Sequence, residues 1–89
     1  MVFKEETDRF LYLEDDIELG KIIFEDKDNI ITINHTLVPK ENSGRGIARD
    51  LVNRVVKKAR DENKKIIPVC TYAKKVLESD EQYIDILSK

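Results

Sequence analysis

Between Ile30 and Glu62 the hydrophobic period of the chain changes, and the change is marked by one proline and two glycines. Ile30 to Val38 reads Ile-Ile-Thr-Ile-Asn-His-Thr-Leu-Val, a run rich in β-branched residues that predicts a strand. Pro39 stops it, because proline has no N–H to give to a ladder. Beyond a polar loop, Ile47, Ala48, Leu51, Val52, Val55, Val56 and Ala59 recur at helical spacing within Gly44 to Glu62. They form one apolar stripe, with Arg49, Asp50, Arg54, Lys57, Lys58 and Arg60 on the other side. Ile66 to Cys70 (Ile-Ile-Pro-Val-Cys) then reads as a short buried strand. A helix that links two strands is long enough for a crossover, so these two strands should be parallel.

The rest of the chain fits round that unit. Arg9 to Leu13 and Glu18 to Glu25 alternate as strands, with turns at Asp15-Asp16 and at Asp26 to Asn29. They should form an antiparallel meander with the strand at Ile30. Thr71 to Glu78 predicts a second helix, and Glu81 to Leu87 one or two further turns. The expected order is β-β-β-α-β-α, an α/β (α+β) fold with a mixed sheet and a parallel central pair.

The 89 residues suit one domain, 1–89. The chain has 16 Lys plus Arg against 18 Asp plus Glu, a formal net charge of -2. Nucleic-acid binders draw most of their affinity from a basic excess, and this chain has none overall. The amino terminus lacks the apolar run of a signal peptide, and no stretch approaches the roughly twenty apolar residues of a membrane span. The single cysteine, Cys70, allows no intrachain disulfide. These features lead to the expectation of a cytoplasmic protein with no membrane partner, for which a monomer suffices.

Chemistry concentrates in the loop Pro39-Lys40-Glu41-Asn42-Ser43-Gly44-Arg45-Gly46-Ile47-Ala48. A helix start offers unpaired N–H groups and about half a positive charge. Glycines let an anion come close to that backbone, so the segment suits a pyrophosphate, or is simply a tight turn with a glycine cap. A dinucleotide fingerprint would need a third glycine where Arg49 stands. A triphosphate loop would need Gly-Lys-Ser/Thr, and Ile47 follows Gly46.

Cys70 precedes a predicted helix start, where thiols become nucleophilic, although a buried cysteine also serves as a small hydrophobe. His35, the only histidine, should share the face of Ile31, Ile33 and Leu37 under the period-two rule. With neighbouring strands, it and Cys70 could form an activated pair, or His35 could be a satisfied core residue. With no second histidine or cysteine, a metal site is not expected. Tyr72 suits a proton donor, a stacking partner or the core. Lys57, Lys58, Arg60, Lys64 and Lys65 form a basic cluster that reads as a solvated helix face.

The run His35-Thr36-Leu37-Val38-Pro39, with Gly44-Arg45-Gly46-Ile47-Ala48 and Leu51-Val52, resembles the acetyl-CoA motif of the GNAT acetyltransferases. Ile67-Pro68-Val69-Cys70-Thr71-Tyr72 is similar to the strand-and-helix segment of the minimal, stand-alone GNAT-like branch. The resemblance covers roughly Ile17 to Leu87. It implies that the two parallel strands splay and that the pantetheine arm of acetyl-CoA enters the gap. Leu37 and Val38 would then offer backbone groups to the pantetheine, and N–H groups from Asn42, Ser43, Gly44, Arg45, Gly46, Ile47 and Ala48 would hold the pyrophosphate. Tyr72 would lie near the cofactor, and Cys70 and His35 fall at positions proposed for catalysis in the minimal branch. Glu41 departs from the superfamily, which has Gln or Arg there. The amino-terminal helices and last strands that build an acceptor pocket in larger members are missing. The expected activity is acetyl transfer from acetyl-CoA to an amine, either through Cys70 with His35 as base or directly. A module that binds CoA or a protein without turnover, and a nucleic-acid domain using the basic face, are the alternatives.

Overall fold

The computed structural model describes residues 2–88. Five strands, β1 (Val2–Glu6), β2 (Arg9–Glu14), β3 (Ile17–Lys27), β4 (Ile30–Leu37) and β5 (Lys65–Pro68), form one sheet in sequence order. Neighbours from β1 to β4 are antiparallel, and β4 with β5 is parallel. Helix α1 (Ile47–Asp61) connects that parallel pair, and α2 (Thr71–Glu78) follows β5. The expected mixed sheet and order are present, with one strand more. That strand is β1, whose acidic end masks its pattern; Phe3 pairs with Tyr12 and meets its ring edge-on at 5.6 Å.

All the fully buried sheet side chains point one way. Phe10 and Tyr12 of β2, Ile22 and Phe24 of β3, Ile31 and Ile33 of β4 and Ile66 of β5 meet Leu51, Val52 and Val55 of α1. Ala73, Val76 and Leu77 of α2 join the same cluster, as do Tyr83 and Ile86 from the C-terminal segment. That segment also shields the edge of β5: Ile66 N–H donates to the Ile86 carbonyl, and Ser88 N–H to the Ile66 carbonyl. The outer face of the sheet has no helix over it. Leu11, Ile23, Thr32, Leu37 and Ile67 lie there, and none is fully buried.

Ion pairs neutralise most of the basic cluster. Lys57 pairs with Asp61, Lys58 with Glu5 and Glu62, Arg60 with Asp85, and Lys64 with Asp26. Burial pushes the Lys58 ammonium down, but the bonds to Glu5 and Glu62 outweigh it and the net shift is upward. Among the described residues no helix is long and apolar enough to cross a membrane.

Two bulges break the period of two. Leu19 is an extra residue in β3 between the pairs Tyr12–Gly20 and Leu13–Glu18. Asn34 is an extra residue in β4 between Phe24–Ile33 and Ile23–His35. Gly20, beside the first bulge, faces the core where a Cβ would meet Ile47 Cγ2 and Val38 Cγ2 at 3.1 Å. Sheet, helix start and loop thus touch at a position where a methyl group would crowd Ile47, Val38 and the Leu37 carbonyl. Gly20→Ala is expected to cost about 1–3 kcal/mol through overpacking, read as a lower urea midpoint at constant slope. An unchanged midpoint would refute the tight fit.

Candidate active site

The ladder between β4 and β5 ends abruptly. Its last registered pair is Ile33 with Pro68, and Pro68 has no N–H to extend it. The Ile33 carbonyl then accepts two hydrogen bonds, from Val69 N–H and Cys70 N–H, each at 3.0 Å. Cys70 turns into the start of α2 while β4 runs on to Leu37. The two strands part here, as the resemblance implies.

The Asn34 bulge changes what β4 presents to that gap. Two successive residues, Asn34 and His35, lie on the outer face, and Thr36 returns to the inner face opposite Ile22. The expectation that His35 shares the face of Ile31 and Ile33 is therefore corrected. His35 is exposed on the side away from the helices. Cys70 packs against the core on the helix side, and its Sγ lies 3.5 Å from Thr36 Oγ1. The structure brings Cys70 to Thr36, not to His35; a bulge leaves no periodic signal in sequence, which is why Thr36 was missed.

Backbone direction flips with the side chains. Before the bulge Ile33 turns its carbonyl to β5; after it, Thr36 N–H reaches the Cys70 sulfur. By alternation Val38 points the same way as Thr36, and Leu37 faces back to Lys21 on β3. Of the two residues expected to offer backbone groups to the gap, geometry favours Val38.

The Cys70 thiol feels opposing influences. Burial raises its pKa, but the Thr36 hydroxyl and the N–H groups of Ala73, Tyr72 and Thr36 outweigh this and leave it below the ordinary thiol value. Tyr72, in the first turn of α2, is 38% exposed, so it is not a core residue.

At the other end of the gap the loop is held by side chains. Asn42 Nδ2 donates to the Leu19 carbonyl at 3.2 Å, and Ser43 Oγ to the Lys40 carbonyl at 2.8 Å. Arg45 is tied to Glu14 at 2.9 Å, and Glu41 is exposed. Gly44 and Gly46 have φ of 81° and 79°, the left-handed region that favours glycine. Gly46 caps α1 and supplies no side-chain acceptor. The first helical bond is Asp50 N–H to the Gly46 carbonyl. Among the described residues, the N–H groups from Gly44 to Arg49 have no backbone or side-chain acceptor. A Cβ on either glycine would meet nothing within 4 Å. These amides are left without a protein partner at the positive end of a 15-residue helix.

A mixed sheet whose parallel pair parts ahead of an anion-ready helix start is the architecture of a GNAT acetyltransferase. The sequence matches the GCN5-related N-acetyl-transferase family over residues 9–86, and the chain belongs to that family. A GCN5-like N-acetyltransferase from Staphylococcus aureus is 34% identical, with a TM-score of 0.79 over 98% of this chain and 87% of that one. A ribosomal-protein-alanine N-acetyltransferase from Brucella melitensis shares the fold at 22% identity and a TM-score of 0.66, over 80% of this chain and 60% of that one. A GNAT acetyltransferase from Elizabethkingia anophelis, solved with acetyl-CoA bound, shares it at 17% identity and 0.64, over 80% and 50%. The chain thus spans only half to three fifths of these two larger proteins. No curated protein sequence matches the chain.

The thiol environment gives a direct test. The rate of Cys70 alkylation by iodoacetamide is expected to rise with pH through a midpoint below that of a free thiol. Thr36→Val should move the midpoint upward, since burial remains and a hydrogen bond to the thiolate is lost. A midpoint that does not move would mean that Thr36 has no hold on the sulfur.

Proposed function

We infer that the chain transfers an acetyl group from acetyl-CoA to an amine by direct attack. The observation that carries this reading is the row of unpartnered amides from Gly44 to Arg49 at the mouth of the parted strands. The residues present fit the cosubstrate: open glycines give a diphosphate close approach, and the helix dipole favours its charge. Acetyl-CoA supplies the activated thioester. Backbone N–H groups of Asn42, Ser43, Gly44, Arg45, Gly46, Ile47 and Ala48 form the cradle, although the first two already bond within the loop. Val38 receives the pantetheine amides, and the exposed Leu37 side chain lies beside the arm.

Thr36 N–H, turned into the gap, donates to the carbonyl oxygen where negative charge grows. The amine nitrogen forms a bond to the acetyl carbon as the carbon–sulfur bond breaks. A proton from the amine passes to His35 or to water on the outer face, and Tyr72 protonates the leaving thiolate. His35 is on the outer face of the sheet and Cys70 packs on the helix side, so the direct route places the base on the acceptor's side. A covalent route, with the acetyl group first on Cys70, is the second reading; the lowered thiol pKa favours it. A free thiol at the site suits a reducing compartment such as the cytoplasm.

Calorimetric titration tests the cradle. Gly44→Glu puts a carboxylate beside the diphosphate, and Gly44→Ala imposes the same backbone strain, about 1–2 kcal/mol, without the charge. The glutamate variant is expected to lose at least tenfold in affinity for CoA and acetyl-CoA, with the alanine variant near wild type. Equal loss in both, or in neither, would remove the cradle.

Turnover of an amine panel separates the routes. Cys70→Ala is expected to retain activity within about threefold, while His35→Gln loses roughly a hundredfold or more, the usual contribution of a general base. Abolished turnover in Cys70→Ala with intact CoA binding would favour the covalent route. CoA binding without any product would leave a binding module.

A further inference from the structure

Beside the parted strands, on the uncovered face of the sheet, a cavity of about 370 Å³ is walled by Glu18, Lys21, Leu37, Val38 and Pro39. It touches Leu37 and Val38, and so adjoins the gap from the acceptor's side. Two opposite charges share its wall. Lys21 is half-buried and lies directly across from Leu37. Glu18 stands on the same outer face, brought there by the Leu19 bulge. Among the described residues neither side chain makes a hydrogen bond or an ion pair, although most charged groups of α1 and the strands behind it are paired. Arg9 is close enough to feel the Glu18 charge, but its guanidinium is engaged by Asp8 at 2.9 Å and by Glu6 at 4.0 Å.

An ammonium and a carboxylate that line one cavity without pairing to each other match a ligand head that carries both charges. His35 lies on the same face, two residues along β4 from Leu37, a separation of about 7 Å. A lysine or ornithine side chain covers about that length. We propose that the acceptor is a basic α-amino acid: Lys21 binds its carboxylate, Glu18 binds its α-ammonium, and its side-chain amine extends past Leu37 to His35 and the thioester. This rests on the cofactor reading above and adds the substrate class. The new amide bond forms on the side-chain nitrogen, the carbon–sulfur bond breaks, CoA leaves as the thiol, and the displaced amine proton goes to His35. The α-ammonium stays charged on Glu18 and so does not compete as nucleophile.

Three probes dissect the head group: L-lysine, cadaverine, which lacks the carboxylate, and 6-aminohexanoate, which lacks the α-ammonium. Titrations followed by amide chemical shifts use the full chain, alone and saturated with CoA, with CoA affinity measured separately by calorimetry. L-lysine is expected to shift the amides of Glu18, Lys21, Leu37 and Val38 and to bind at least tenfold more tightly than either truncated probe. Lys21→Met should erase the preference over cadaverine alone, and Glu18→Gln the preference over 6-aminohexanoate alone, both with unchanged CoA affinity. With acetyl-CoA the product should be the side-chain acetyl derivative by mass spectrometry. Equal binding of all three probes, shifts confined to other residues, or acetylation of the α-nitrogen overturns the proposal. CoA binding with no lysine preference sinks the acceptor assignment alone. Lysine preference without CoA binding sinks the cofactor reading and the acceptor role with it.

Discussion

The Ile33 carbonyl, accepting from both Val69 and Cys70, is the point on which the architecture turns. Up to this group β4 and β5 are an ordinary parallel pair, and beyond it they separate. Pro68 prevents β5 from offering a regular N–H, and the Val69 and Cys70 N–H groups, both donating to the Ile33 carbonyl, accompany the bend of the chain into α2. One residue later on β4, Asn34 adds the bulge that turns Thr36 into the opening. A continuous ladder would have consumed the polar groups of Thr36 and Val38, and no ligand could have reached them. The gap is therefore built from backbone groups that the sheet leaves unspent.

The α1 start follows the same logic by a different route. A Ser, Thr or Asp cap would satisfy one or two of its amides and stabilise the helix by about 1 kcal/mol. Gly46 supplies no such acceptor, and the side chains nearby are occupied elsewhere: Asn42 on Leu19, Ser43 on Lys40, Arg45 on Glu14. The loop is fixed in place while its donors stay open. Stability is recovered at the far end of the helix, where Lys58 ties α1 to β1 through Glu5, and Arg60 ties it to the C-terminal segment through Asp85. Tyr83 adds a hydrogen bond to Asn53 from the same segment. Open donors and stabilising ties thereby lie at different places along one helix.

Much of this was legible in the residues. The period change at Pro39, the apolar stripe of α1 and the β-branched run of β4 dictate the strand–loop–helix unit, and its crossover dictates the parallel pair. Two features leave little trace in the sequence. β1 reads Val-Phe-Lys-Glu-Glu, and as an edge strand that buries little it shows no alternation. The Asn34 bulge leaves only a faint compositional mark, one residue of a type depleted in strands, and strict alternation puts His35 on the wrong face. A period-two argument fails at any inserted residue, and β4 has one at the position that matters most.

That failure bears on how Cys70 behaves in a loaded site. Its thiol is held below the ordinary pKa by Thr36 and by the amides that open α2, against a burial effect that acts the other way. Thr36 N–H is also the donor that the proposed thioester carbonyl needs, and one N–H cannot serve both fully. A bound thioester would draw that donor away, leaving burial with more weight and the thiol more fully protonated. A protonated thiol is a poor nucleophile. In such a complex the Cys70 sulfur would be disarmed by the contact that activates the acetyl carbon. The direct route proposed for the amine would instead use the outer face, where His35 is exposed and no helix covers the sheet.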